Sequence, residues 1–191
     1  MQFEEAVTYF SDYLELYPEE LQAYQFRAMS LWYAGRLPEA MSDFSPVLQL
    51  TPHDIPSLSG RGQILAELGD NEKALDDLNS ALQSIETISG RDAALANWGK
   101  DAEAYTRNGK GLALAGLGNG SEARQEFERS ISLSPENAWV YHNRAQVHER
   151  LGNRNDAVDD YRRSLEKTAP KLTPLKRIHA LARLEELSRL P

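Results

Sequence analysis

The chain has 191 residues, 41% of them hydrophobic, with no cysteine and a formal charge of −8 at pH 7. Without cysteine there are no disulfide staples, thiolate metal sites or cysteine nucleophiles, and the acidic balance argues against a broad nucleic-acid surface, which needs a basic stripe to displace counterions from phosphates. No segment approaches the roughly 18 unbroken apolar residues of a membrane span, and the opening residues Met1 to Glu5 lack the basic patch and apolar run of an export signal, so a cytoplasmic protein is expected.

Along the chain, alanine sets a beat. Ala6, Ala40 and Ala74 are 34 residues apart and are followed four residues later by Phe10, Phe44 and Leu78, while Pro18 and Pro52 close the first two stretches. Ala123 with Phe127 and Pro135, then Ala157 with Tyr161, keep the same interval. A period of roughly 34 belongs to stacked helix-turn-helix units and predicts an all-α solenoid of antiparallel helix pairs over residues 1–191.

The first element is a lone second helix, residues 1–17, with Phe3, Val7, Phe10 and Leu14 at helical spacing and a stop before Pro18. A full unit follows over 21–54, with helices on either side of Gly35-Arg36-Leu37 and Pro38 in the first turn of the second helix, where its missing N–H is not needed. The next unit, 55–88, turns at Gly69-Asp70. Units over 104–137 and 138–171 turn at Gly118-Asn119-Gly120 and Gly152-Asn153, and a single amphipathic helix over 172–190 caps the array. That last helix is expected to bury Leu175, Ile178, Leu181, Leu184 and Leu187 and to expose its basic residues.

One junction breaks the rhythm. Ala74 and Ala123 are 49 residues apart, fifteen more than the period, which places an insertion within 86–103. Either it is a surface loop, added at little entropic cost, or both flanking helices are prolonged, the first ending at Gly90 and the second capped by Asp92. In the second case Trp98, Ala102, Tyr105, Gly109 and Leu112 fall on one stripe, and Trp98 becomes an arm contact.

These residues resemble the tetratricopeptide repeat. The second helices carry its Ala-x3-Phe and closing Pro, and the first helices carry an aromatic and a small residue at Tyr24 and Ala28 and at Tyr141 and Ala145, with Gly62 and Gly111 as the small residue in the other two units. The resemblance implies a right-handed solenoid whose first helices line a concave groove. On that implication the groove candidates are Gln25, Phe26, Met29, Trp32, Tyr33, Gln63, Tyr105, Asn108, Leu112, Trp139, His142, Asn143 and Gln146, a largely uncharged surface with aromatic patches. Family members that hold a chaperone's C-terminal carboxylate use lysines at these places, which this chain lacks. Phe26, Met29, Trp32 and Tyr33 either complete the core against the N-terminal helix or anchor a partner's apolar side chain.

Enzyme signatures are not evident. Gly116, Gly118 and Gly120 follow a helix rather than a strand and read as a repeat turn, as does Asn119-Gly120-Ser121. His142 and His148 are six apart, off the spacing of a helical zinc pair, and Asp76-Asp77 and Asp159-Asp160 read as solvated helix faces. The expectation is therefore a non-catalytic module without cofactor or metal, binding a protein or peptide through aromatic anchors and groove amides, with no nucleic-acid partner. The alternative is a structural protein that forms a homodimer through the N-terminal half unit or the insertion.

Overall fold

Each turn between the two paired helices of a unit is fixed by a glycine in the left-handed region. In a computed structural model, which describes residues 2–89, 96–167 and 172–189, the helices are α1 (Gln2–Leu16), α2 (Leu21–Tyr33), α3 (Leu37–Leu50), α4 (Ile55–Leu68), α5 (Asn71–Ser89), α6 (Ala96–Gly116), α7 (Gly120–Leu133), α8 (Ala138–Arg150), α9 (Arg154–Glu166) and α10 (Pro174–Arg189). Among the described residues there is no strand. Gly35, Gly69, Gly118 and Gly152 have φ between 76° and 88°. In each case the next residue's N–H reaches back over the helix end, Arg36 to Leu31, Asp70 to Leu65, Asn119 to Leu114 and Asn153 to His148, at 2.8 to 2.9 Å. This reciprocal closure satisfies carbonyls that a helix terminus otherwise leaves bare.

Helix starts are also written locally. The Asp54 carboxylate accepts the Ser57 N–H at 2.9 Å, and the Asn137 side chain accepts that of Trp139 at 3.0 Å, each answering an orphan donor of the first turn. Pro46 lies inside α3 and removes one rung of the helix. The helix continues because Phe44, Val47 and Leu48 around it are buried.

The helices pair as α2 with α3, α4 with α5, α6 with α7 and α8 with α9, and the first helices α2, α4, α6 and α8 also pack side by side. At each crossing the periodic alanine is wholly enclosed: Ala40, Ala74, Ala123 and Ala157 are all 0% exposed. A Cβ on Gly111 would stand 2.9 Å from the Phe127 ring, and one on Gly62 would stand 2.7 Å from Leu78, so two first helices use glycine to make the same approach. The helices that flank the insertion are long, 19 residues for α5 and 21 for α6 against 13 or 14 for the other paired helices. Gly90, Asp92 and the Trp98 side chain lie outside the described residues.

A second periodic signal ties each first helix to its mate. Arg27 binds Asp43 at 2.7 Å, Arg61 binds Asp77 at 2.6 Å and Arg144 binds Asp160 at 2.7 Å, each through two parallel N–H···O bonds, and Lys110 and Arg107 share Glu126 in the fourth unit. Asp77 and Asp160 are therefore not solvated: they are 8% and 3% exposed, whereas their neighbours Asp76 and Asp159 do face water. Sixteen residues separate each arginine from its aspartate. The hydrogen bond to the partner carboxylate raises the Arg27 and Arg61 pKa, and for Arg144 burial is the largest influence and lowers the pKa, but the hydrogen bond to Asp160 and the negative charges around it together leave it raised.

Removing one member leaves a charge stranded between helices. Asp160→Ala is expected to cost about 3 kcal/mol, the range for breaking a largely buried pair, while Arg144→Met combined with Asp160→Leu costs much less because no charge remains. Urea unfolding of both variants checks this, and equal losses would show that packing rather than charge is responsible.

Candidate functional site

The first helices bring their aromatic residues to one side of the array, where they meet. Trp32 on α2 reaches Trp139 on α8 with ring centroids 4.9 Å apart at 64°, Tyr33 lies 5.7 Å from Trp139, and Tyr105 on α6 closes on Trp32 at 6.1 Å. These are edge-on geometries, favoured by the ring quadrupoles. The first and last full units thus touch across the concave face. Trp32 and Trp139 are 4% and 5% exposed, so the groove is bridged rather than continuous.

Two pockets flank the bridge. One, of about 280 Å³, is walled by Met29, Tyr33, Ile55, Pro56, Ala102, Tyr105 and Trp139, with Asp101 the charged residue at its edge. The other, of about 250 Å³, sets Glu67, His142, Gln146, Lys176 and His179 against Trp32, Leu37, Trp139 and Leu175. The Tyr105 hydroxyl is buried without a hydrogen-bond partner, and burial, with Tyr33 and Glu67 nearby, pushes its pKa well above the usual value. It stays a protonated donor.

Several groove candidates are used inside the protein instead. Gln63 is 1% exposed and donates to the Tyr105 carbonyl at 3.1 Å, Asn108 accepts from Asn143 at 3.2 Å with both buried, and Leu112 lies in the core beside Phe127. Their amides face the neighbouring first helix, so they are not available to a partner backbone. Gln25 donates to Asp54 at 2.6 Å and to Ser57 at 3.1 Å. The exposed Phe26 ring stacks on Phe10 at 5.5 Å, and His142 is 2% exposed. Met29, Tyr33, Tyr105 and Trp139 line the first pocket, and Gln146 and His142 line the second together with Tyr33 and Trp139.

The expected helix over 172–190 is α10, Pro174–Arg189, but its orientation differs from the expected one. That helix turns Lys176, His179 and Arg183 to the concave side, with Leu175 beside them. Lys176 binds Glu67 at 2.8 Å and sits 4.8 Å over the Trp139 ring, His179 meets His142 at 3.2 Å, and Arg183 binds Glu149, which also accepts the Tyr161 hydroxyl at 2.5 Å. Leu175, Ile178 and Leu181 are exposed, and Ala180 and Leu187 are the buried residues. Lys176, His179 and Arg183 are directed inward while Arg177 and Arg189 stay exposed, and the expected apolar stripe is turned partly to water. The spacing of Lys176, His179 and Arg183, three and then four residues, is itself a helical stripe and carried the signal.

Burial, reinforced by Lys176 and His179, pushes His142 down to about 3, and burial also lowers His179. Between about pH 3 and 6.5 the unfolded chain therefore binds protons at His142 that the folded chain does not, so stability is fully present above pH 6.5 and is lost as pH falls. Unfolding free energy is expected to drop between pH 6.5 and 5 with a slope approaching about 1.4 kcal/mol per pH unit for this proton. His142→Gln should flatten that slope; an unchanged slope would exclude His142 as its source.

A family model described as tetratricopeptide repeat matches residues 2–55 and 108–172. No curated protein matches the chain. Among solved structures, a tetratricopeptide repeat protein from Parabacteroides merdae is 18% identical, with 98% of this chain and 72% of that one covered and a TM-score of 0.64. TTC0263, a thermophilic repeat protein of Thermus thermophilus, is 17% identical over 96% and 91% of the two chains, with a TM-score of 0.64. MamA from Desulfovibrio magneticus is 18% identical over 86% and 84%, with a TM-score of 0.58. At such identities the likeness concerns the fold. Among the described residues no helix is long and apolar enough to cross a membrane, and no group of three or more His, Asp and Glu could hold a metal ion.

Proposed function

The chain belongs to the tetratricopeptide repeat family, whose members are protein-interaction scaffolds, and we propose that it is a non-catalytic module that seats an apolar side chain of a partner protein in the pocket between Met29, Ile55, Ala102 and Trp139. The observation that carries this reading is the pocket's composition: aromatic and aliphatic walls, with Asp101 the single charged residue and Ser59 and Asn137 the uncharged polar ones. At about 280 Å³ it falls just below the range of roughly 300–1,000 Å³ that encloses drug-sized ligands, so one or two side chains fit it better than a cofactor. Rigid aromatic walls limit the entropy lost on binding. The bridge of Trp32 and Trp139 leaves an extended peptide no continuous path along the groove, so a partner helix or loop lying across the rim is the better fit. Phe26, 53% exposed beside Phe10, offers a further contact for it.

Selection from a random linear-peptide display library tests the proposal. Enriched peptides are expected to share one large apolar anchor and to lose about tenfold in affinity, about 1.4 kcal/mol, against Ala102→Leu, which narrows the pocket. Helical circular dichroism verifies that the variant is folded. Peptides that bind the variant and the parent equally would place the site elsewhere.

A further inference from the structure

The first helices of the four full units carry four acids: Glu67 on α4, Asp101 and Glu103 on α6, and Glu149 on α8. Three of them are answered within the chain, Glu67 by Lys176, Glu103 by Arg107 and Glu149 by Arg183. Asp101 is exposed and has no hydrogen bond or ion pair among the described residues. It is also the charged residue of the first pocket, whose lining includes no lysine or arginine to neutralise it.

The same helix sets an aromatic ring one turn away. Residues four apart share a helix face, and Asp101 and Tyr105 both line the pocket. The Tyr105 hydroxyl is buried while the residue is only half-buried, so its ring rather than its polar tip faces the cavity. Trp139 already carries Lys176, 4.8 Å over its ring, and Tyr33 stacks on Trp32, which makes Tyr105 the ring best placed for a further cation. Met29, Ile55, Pro56 and Ala102 supply aliphatic wall. A carboxylate, a ring face and an aliphatic wall in one cavity suit a side chain with an apolar stem and a planar cationic tip. Guanidinium has those properties: it stacks on rings, sheds water more readily than ammonium and offers two parallel N–H donors to one carboxylate.

We propose that the partner segment presents an arginine beside its apolar anchor, with the guanidinium between the Asp101 carboxylate and the Tyr105 ring. This rests on the reading of the pocket as the partner's seat and adds the charge of the segment that enters it. The formal charge of −8 on the chain favours the approach of a basic segment.

The test uses peptides selected on the full chain from the random display library and resynthesised with citrulline, the neutral isostere, in place of arginine. Selected peptides are expected to carry an arginine within one helical turn of the apolar anchor. Citrulline there is expected to weaken binding about tenfold, through loss of both the ring contact and the ion pair, and Asp101→Asn about threefold. Citrulline should cost less against Asp101→Asn than against the wild type, because the pair is already broken. Asp101→Asn is expected to match the wild type in urea unfolding, since Asp101 has no bond to lose among the described residues. Equal citrulline costs in the two proteins would overturn the contact with Asp101. Peptides weakened by Ala102→Leu but indifferent to Asp101→Asn would keep the pocket as the seat and reject the arginine. A selection that enriches nothing, or peptides indifferent to both variants, would overturn the pocket reading and this proposal with it.

Discussion

The close approach of paired helices is the constraint from which the other features follow. An alanine with no exposed surface stands at each of four crossings, and a larger side chain there would push the helices apart. Holding every pair at that distance lets the first helices align as a second layer. The same alignment brings α2 and α8 round until Trp32 meets Trp139. Small residues on the beat thus determine where the large ones meet.

Much of the fold was legible in the sequence because its signals are local and repeated. The alanine beat, the glycine turns and the proline stops each act within a few residues, so helix ends such as Leu16, Leu50 and Leu68 lie where spacing and breakers place them. The Arg-to-Asp pairing was equally periodic and was still missed. Asp77 and Asp160 sit in acidic doublets that look solvated, and only the matching phase of Arg61 and Arg144 on the other helix reveals their burial.

The site was less legible, for a physical reason. Which face of a first helix meets solvent depends on the curvature of the whole array, a property no single unit encodes. Asn108 and Asn143 look like groove amides one unit at a time, and only the packing of α6 on α8 turns them toward each other. The terminal helix was inverted in the same way: its leucines suggested an inward apolar stripe, yet the concave side already held Glu67, Glu149 and the Trp139 ring, partners that favour Lys176 and Arg183.

In a linear stack each unit leans only on its neighbours, so such arrays ordinarily open from their ends, one unit at a time. The contact of Trp32 with Trp139 and the reach of Lys176 to Glu67 join parts of the chain that are remote along it. Loosening either end then sacrifices contacts held by the middle. Amide protons near α2 and α8 should therefore exchange through the same opening event rather than in graded order, making this short array behave as one cooperative unit.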